Sequence, residues 1–196
     1  MFSIPVSASA QEERGPDWQM APVPAPLEPE ASPDLPTEQR IEALLEELST
    51  ASSDEVAARL ERNLFREWSK SGSAAMDLLL KRGRDALEVG EVDVALEHLT
   101  ALTDHAPDFA EGWHVLALAY YQDDAFGPAM DALEHVLALN PRHFGALRGV
   151  AAIQEQIGRP VLAYQAYSRV QELRPFDENV TEALKRLAPE VQGVTL

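Results

Sequence analysis

Between Met76 and Asp177 the apolar and small positions recur at one interval. Pro107, Pro141 and Pro175 are each 34 residues apart, and the same step joins Ala95, Ala129 and Ala163. It also joins Leu99, Leu133 and Tyr167, then Leu79, Trp113 and Leu147, then Gly83, Ala117 and Ala151. The register holds over three copies without an insertion. Each copy contains two apolar runs at helical spacing separated by a short polar turn, which predicts three helix–turn–helix units. In the first unit, helix one ends near Gly90 and helix two starts near Val92. The second turns over Asp123 to Gly127, with Pro128 near the start of a helix, where its missing N–H costs nothing. The third turns at Gly158-Arg159-Pro160.

The repeated residues have separate physical jobs. Gly83, Ala117 and Ala151 stand where the two helices of a unit cross, and Ala95, Ala129 and Ala163 do the same from the second helix; only small side chains allow that approach. Leu79, Trp113 and Leu147 fill the space between helices. The three prolines stop a helix and set the angle to the next unit.

The flanks are helical but off phase. Thr37 is placed to cap a helix carrying Ile41, Leu44, Leu45 and Leu48 on one face. Ser52-x-x-Glu55 has the form of a capping box for a second helix, with Val56, Leu60, Leu64 and Trp68 in a stripe that Ser71-Gly72-Ser73 ends. Stepping back 34 residues from Ala95 lands on Glu61, where a small residue is required, so residues 37–72 read as a hairpin packed on the array. After Pro175, Asp177 is expected to cap a closing helix with Val180, Ala183, Leu184 and Leu187 on one face, ended by Pro189. The expected boundaries are 37–72 for the hairpin, 73–188 for the three units and closing helix, and 189–196 for a fraying tail.

The second copy reads Trp113-x2-Leu116-Ala117-x2-Tyr120, Ala129-x3-Leu133, Pro141, and resembles the tetratricopeptide repeat (TPR) family. REWSKSGSAAMDLLLKRGRDAL, EHLTALTDHAPDFAEGW and ALNPRHFGAL are similar to short exported TPR proteins of alphaproteobacteria, over roughly residues 38–175. That group brings no established activity and no catalytic residues. The resemblance implies an all-α, right-handed helical array, a location in the bacterial envelope, and a concave groove lined by the first helix of each repeat. Projected by phase, the groove holds Asp77, Leu80, Arg84, Leu87 and Glu88; then Glu111, His114, Leu118, Tyr121 and Gln122; then Gly145, Arg148, Ala152, Glu155 and Gln156. Apolar centres, an aromatic and two arginines suit an extended or helical peptide held by a few anchors. The matched Lys and Asn residues of the carboxylate-clamp TPRs that grip chaperone C-termini are missing. A second reading keeps the groove self-occupied, with Leu80 and Leu118 packed under the hairpin or the linker.

Composition narrows the partners. At 196 residues and 45% hydrophobic, the chain builds a continuous core. A net charge of −17 argues against nucleic acid and against an anionic membrane surface, and favours basic partners. The absence of cysteine excludes disulfides, a Cys-ligated zinc and a thiol nucleophile. Residues 11–36 hold seven of the 14 prolines and read as a semi-stiff disordered spacer, with Trp18 or the Ala-Pro run as the alternative docking motif. Ala8-Ser9-Ala10 fits a signal-peptide cleavage site, so residues 1–10 read as the closing part of an export signal whose beginning lies upstream.

Candidate chemistry is sparse. His98, His105, His114, His135 and His143 form neither HExxH nor an i, i+4 pair and are expected at the surface. There is no GxSxG elbow, no glycine-rich phosphate loop, and no grouping of nucleophile, base and orienting residue. The expectation is a non-catalytic scaffold without metal or cofactor, binding a protein or peptide but neither nucleic acid nor the membrane interior. A self-associating or permanently docked structural subunit is the alternative.

Overall fold

The computed structural model describes residues 36–193, with only the backbone of Gln192. The expected export signal, nearly all of the proline-rich spacer including Trp18, and the last three residues lie outside the described residues. Among those described there are nine α-helices and no strand. Helices α1 (Thr37–Ser49) and α2 (Asp54–Trp68) form the hairpin. The three units are α3 (Ala74–Glu88) with α4 (Val92–His105), α5 (Ala110–Gln122) with α6 (Phe126–Leu139), and α7 (Phe144–Gln156) with α8 (Pro160–Leu173). Helix α9 (Glu178–Gly193) closes the array.

The 34-residue step persists in the backbone. Gly90, Asp124 and Gly158 all take positive φ, at 77°, 56° and 73°. The amide of the next residue, in Glu91, Ala125 and Arg159, donates back to the carbonyls of Ala86, Tyr120 and Gln154. This is the left-handed helix cap that glycine favours and aspartate tolerates. Ala95, Ala117, Ala129, Ala151 and Ala163 are fully buried at the helix crossings. A Cβ on Gly83 would fall 2.5 Å from the Leu99 side chain, so in the first unit even alanine would force Leu99 to shift. Trp113 fills the space between helices and donates its indole N–H to the Pro107 carbonyl at 2.8 Å.

Three helix ends differ from expectation. Thr37 does not cap α1. Pro36 does, because its carbonyl already accepts the Arg40 amide at 3.0 Å, and Thr37 is drawn inside. The cap of α2 is Ser53 rather than Ser52; its backbone is extended, and its hydroxyl accepts from the Val56 amide at 3.3 Å. Pro189 lies inside α9 instead of ending it. Both Pro189 and Lys185, whose carbonyl the proline leaves free, are on the exposed side, where losing that bond costs least. Asp177 caps α9 as expected, accepting from the Val180 amide at 3.1 Å.

The hairpin does not continue the stack. Helix α4 packs on α5, α6 on α7 and α8 on α9, whereas α1 packs on α8. Leu44, Leu45, Leu48, Leu60 and Leu64 share one core with Phe144, Val170, Val180 and Leu184 at the far end of the array. Glu42 pairs with Arg142, a hundred residues away, at 3.0 Å. The chain therefore doubles back, and α2 spans from the α8–α9 junction to the first unit. Glu61 sits where the phase requires a small residue because α2 does not follow that phase. Its carboxylate accepts from Arg148 at 2.7 Å and meets Arg174 at 3.0 Å.

Candidate functional site

Helix α2 divides the projected groove in two. The N-terminal ends of α5 and α7 lie beneath it, and the C-terminal halves of α5 and α7 stay open. In the covered half, Phe65 stacks on His114 with ring centroids 6.0 Å apart and meets Phe144 edge-on at 5.3 Å. Trp68 stacks on His143 at 4.5 Å. The hydroxyl of Ser69 accepts from Arg84 at 3.0 Å.

Below these rings is a buried polar cluster. Glu111, His114 and His143 have no exposed side-chain surface. One Glu111 oxygen accepts from Arg84, and the other lies 3.1 Å from His143 Nε2 and 3.5 Å from His114 Nδ1. Burial alone would push the Glu111 carboxyl up, but the charge and hydrogen-bonding capacity of His114, His143 and Arg84 outweigh it and hold it well below the usual carboxylate range. His143 is driven down to about 4 by burial, with the charge of His114 adding to that and the Glu111 carboxylate opposing it. The expectation that the histidines lie at the surface therefore fails for two of five. His98 is half-buried, and His105 and His135 are exposed, the last stacked on Trp113 at 4.2 Å. Sequence reasoning searched for histidines one helical turn apart. This cluster instead joins i, i+3 on α5 to the cap of α7, 32 residues on.

Glu111, His114 and His143 have the composition of a metal site, with ligand atoms within 4.8 Å of one another. Proton placement opposes that use. His143 caps α7 through Nδ1, which accepts the Ala146 amide at 3.1 Å. The neutral ring must then carry its proton on Nε2, aimed at Glu111, which is where a metal would have to bind. With no exposed surface, the pair cannot meet a substrate as acid and base either.

The remaining projected residues are distributed between core and groove. Leu80 is buried with Leu99 and Leu102 inside the first unit. Leu118 packs with Ala152, Leu87 and Tyr121, so what covers it is the array, not the hairpin. Leu87, Tyr121 and Glu155 are half-buried, Gln122 and Gln156 exposed. Tyr121, Arg148, Ala152, Glu155 and Gln156 line an open cavity of about 320 Å³, together with Tyr167, Asn179, Val180, Ala183 and Arg186. These last five were missed, yet the phase contained two of them. Asn179 lies 34 residues beyond Gly145, and Arg186 lies 34 beyond Ala152, so α9 stands in the phase of a repeat's first helix. Glu155 ties the cavity wall together, accepting from Arg186 at 3.2 Å and from the Tyr167 hydroxyl at 3.4 Å. Burial and the Glu155 charge push the Tyr167 phenol well above its ordinary range.

Among the described residues no helix is long and apolar enough to cross a membrane. Residues 80–134 match the tetratricopeptide repeat family model. A TPR repeat-containing protein of Rhizobium etli is 32% identical over 155 residues, covering 79% of this chain and 76% of that one. Among solved structures, the first TPR of Spaghetti (RPAP3) bound to the HSP90 peptide SRMEEVD superposes with a TM-score of 0.59 at 23% identity, covering 61% of this chain and 95% of that one. MamA (AMB-1) gives 0.52 at 21% identity, over 78% and 86%. The Sgt2 TPR domain of Aspergillus fumigatus gives 0.57 at 17%, over 63% and 83%. With its three phased units, its repeated left-handed caps and a relative similar over most of both lengths, the chain belongs to the tetratricopeptide repeat family.

Proposed function

We propose that this chain is a non-catalytic scaffold of the bacterial envelope that holds a peptide or protein segment against the open half of its concave face. A TPR array supports protein–protein interaction, and one similar structure carries an HSP90 peptide. The observation that carries the reading is the open cavity between α5, α7, α8 and α9. Tyr121 and Tyr167 offer aromatic surface in the same cavity as Arg186 and Glu155, a combination that holds a short segment through a few contacts. Arg84 and Arg148 are engaged with Glu111, Glu61 and Asp177. The anchors that line the cavity are Tyr121, Glu155, Tyr167 and Arg186, the last three bonded to one another along its wall. The envelope location rests on Ala8-Ser9-Ala10 and the resemblance to short exported TPR proteins.

The test pairs wild type with a Tyr121→Ala, Arg186→Glu variant. A client captured on wild type is purified and titrated against both chains by calorimetry. A wild-type affinity that weakens about tenfold or more in the variant, as loss of an anchor pair does, supports the reading. Equal affinity moves the binding surface off this face. A mass in solution that rises steeply with concentration would favour the structural-subunit alternative.

A further inference from the structure

The covered half of the groove is built like a binding site with an occupant in it. Helix α2 meets the array through one face: Glu61, then Phe65 four residues on, Trp68 at seven and Ser69 at eight. Those side chains reach Arg148 and Arg174, then His114 and Phe144, then His143, then Arg84. The pattern is that of an amphipathic helix laid in a groove. The link from α2 to α3 is short, with Gly72 in the left-handed region at φ 82°.

The occupant leaves the seat incompletely satisfied. His114 Nε2 and the Nε atoms of Arg84 and Arg148 are buried without a hydrogen-bond partner, and His114 Nδ1 comes no nearer than 3.5 Å to the Glu111 carboxylate. Arg84 is met from α2 by a neutral serine hydroxyl, where a carboxylate would make a stronger, charge-assisted contact. Three guanidinium groups, of Arg84, Arg148 and Arg174, line this seat against two carboxylates of the array, Glu111 and Asp177, so the occupant supplies the remaining negative charge.

We propose that the seat under α2 is a second binding site, that α2 is its resident occupant, and that its partner is an acidic amphipathic helix. That helix carries a carboxylate at the Glu61 position, aromatics four and seven residues on, and a second carboxylate at the eighth, where Ser69 stands. Such a partner displaces α2 by competition. The site adjoins the open cavity at Arg148 but uses neither Tyr121 nor Arg186, so a change at Tyr121 tells the two apart.

The probes are fluorescein-labelled synthetic peptides: residues 52–70 of this chain, and the same peptide with Ser69→Glu. The protein is the full chain, and the full chain carrying Glu42→Cys and Arg142→Cys bridged by a flexible bis-maleimide. The pairing is specific because the chain has no cysteine of its own. A tethered occupant competes at an effective concentration of order mM. The native peptide should therefore bind the unbridged chain weakly and a Trp68→Ala chain about tenfold or more tighter, and the bridge should abolish binding. The Ser69→Glu peptide should bind tighter by about tenfold, as expected for a charged contact replacing a neutral one. Equal binding to bridged and unbridged chains, or no binding even to Trp68→Ala, would overturn the proposal. Tyr121→Ala should leave peptide affinity unchanged; a loss there would place the peptide in the open cavity instead and equally overturn it.

Discussion

The indole of Trp68 lies against the imidazole of His143 with centroids 4.5 Å apart and planes 22° from parallel. That stack joins a helix outside the repeat phase to the cap of α7. Removing it should loosen the hairpin before it loosens the array. We predict that Trp68→Ala costs roughly 1–3 kcal/mol, less than a fully buried tryptophan because the residue is only half-buried. Amide exchange should quicken across residues 37–68 and change little in α4 to α8. A uniform rise over all helices would mean that the hairpin and the array unfold as one unit.

His143 also makes stability depend on pH. Its native pKa of about 4 is below its unfolded value near 6.5. The unfolded chain thus binds the proton first as the solution is acidified. The stabilising contribution is complete above pH 6.5, declines between 6.5 and 4, and is gone below 4, a total of roughly 3 kcal/mol. Glu111, held in the opposite sense to its burial, keeps its contribution until far more acidic conditions. Urea midpoints should fall from pH 7.5 to pH 4.5. His143→Asn, which can still cap α7, should flatten that slope. An equally steep slope in the variant would assign the effect to other groups.

The tautomer of His143 makes a second claim. With Nδ1 accepting from Ala146 and the proton on Nε2, the chain should not take up zinc at neutral pH in equilibrium dialysis. One equivalent of zinc, lost in His114→Ala, would show that the ring reverses its proton and that the cluster is a metal centre.

The repeats were legible because each phased residue meets a constraint within its own unit or the next. Gly83 faces Leu99, and Trp113 reaches Pro107, over distances that a 34-residue pattern encodes. The fourth position of the phase, in Asn179 and Arg186, was equally present but falls on a helix that has no second helix of its unit among the described residues. What the pattern could not encode is the return of the hairpin. Glu42 with Arg142, and Glu61 with Arg148, are separated by 100 and 87 residues, and no periodicity relates them. Glu61 did stand out as a charge in a small-residue position, which signalled that α2 leaves the stack without saying where it goes. The burial of Glu111, His114 and His143 follows from that return, which is why the two histidines read as surface residues.

The turn positions give a graded test of the repeat phase. Asp124 holds the left-handed conformation that Gly90 and Gly158 hold in the other units. Asp124→Gly should therefore stabilise by up to about 1 kcal/mol, and Gly158→Ala should destabilise by about 1–2 kcal/mol. Neither site has a packing conflict, since a Cβ on Gly158 meets open space. Gly83→Ala should cost about 1–3 kcal/mol for the opposite reason, overpacking against Leu99 in an ordinary helix. Thermal melts in which Asp124→Gly lowers the midpoint would show that the aspartate earns its place through its side chain.

Glu61 links α2 to two arginines from different elements, Arg148 on α7 and Arg174 before α9. Both arginines also contact Asp177, which is almost wholly buried and caps α9. Removing Glu61 leaves two guanidinium groups sharing Asp177 in a poorly hydrated place, with only the exposed Asp54 beside Arg174 at 3.7 Å, so the loss exceeds that of a surface pair. We predict that Glu61→Ala costs about 1–3 kcal/mol, where an exposed pair such as Arg169 with Glu172 is worth under about 1 kcal/mol. A double-mutant cycle with Arg148→Ala should give a coupling of about 0.5–3 kcal/mol. High salt should leave that coupling largely intact, because the partners are mostly shielded from water. A coupling that vanishes in salt would place the pair in solvent and detach α2 from the groove.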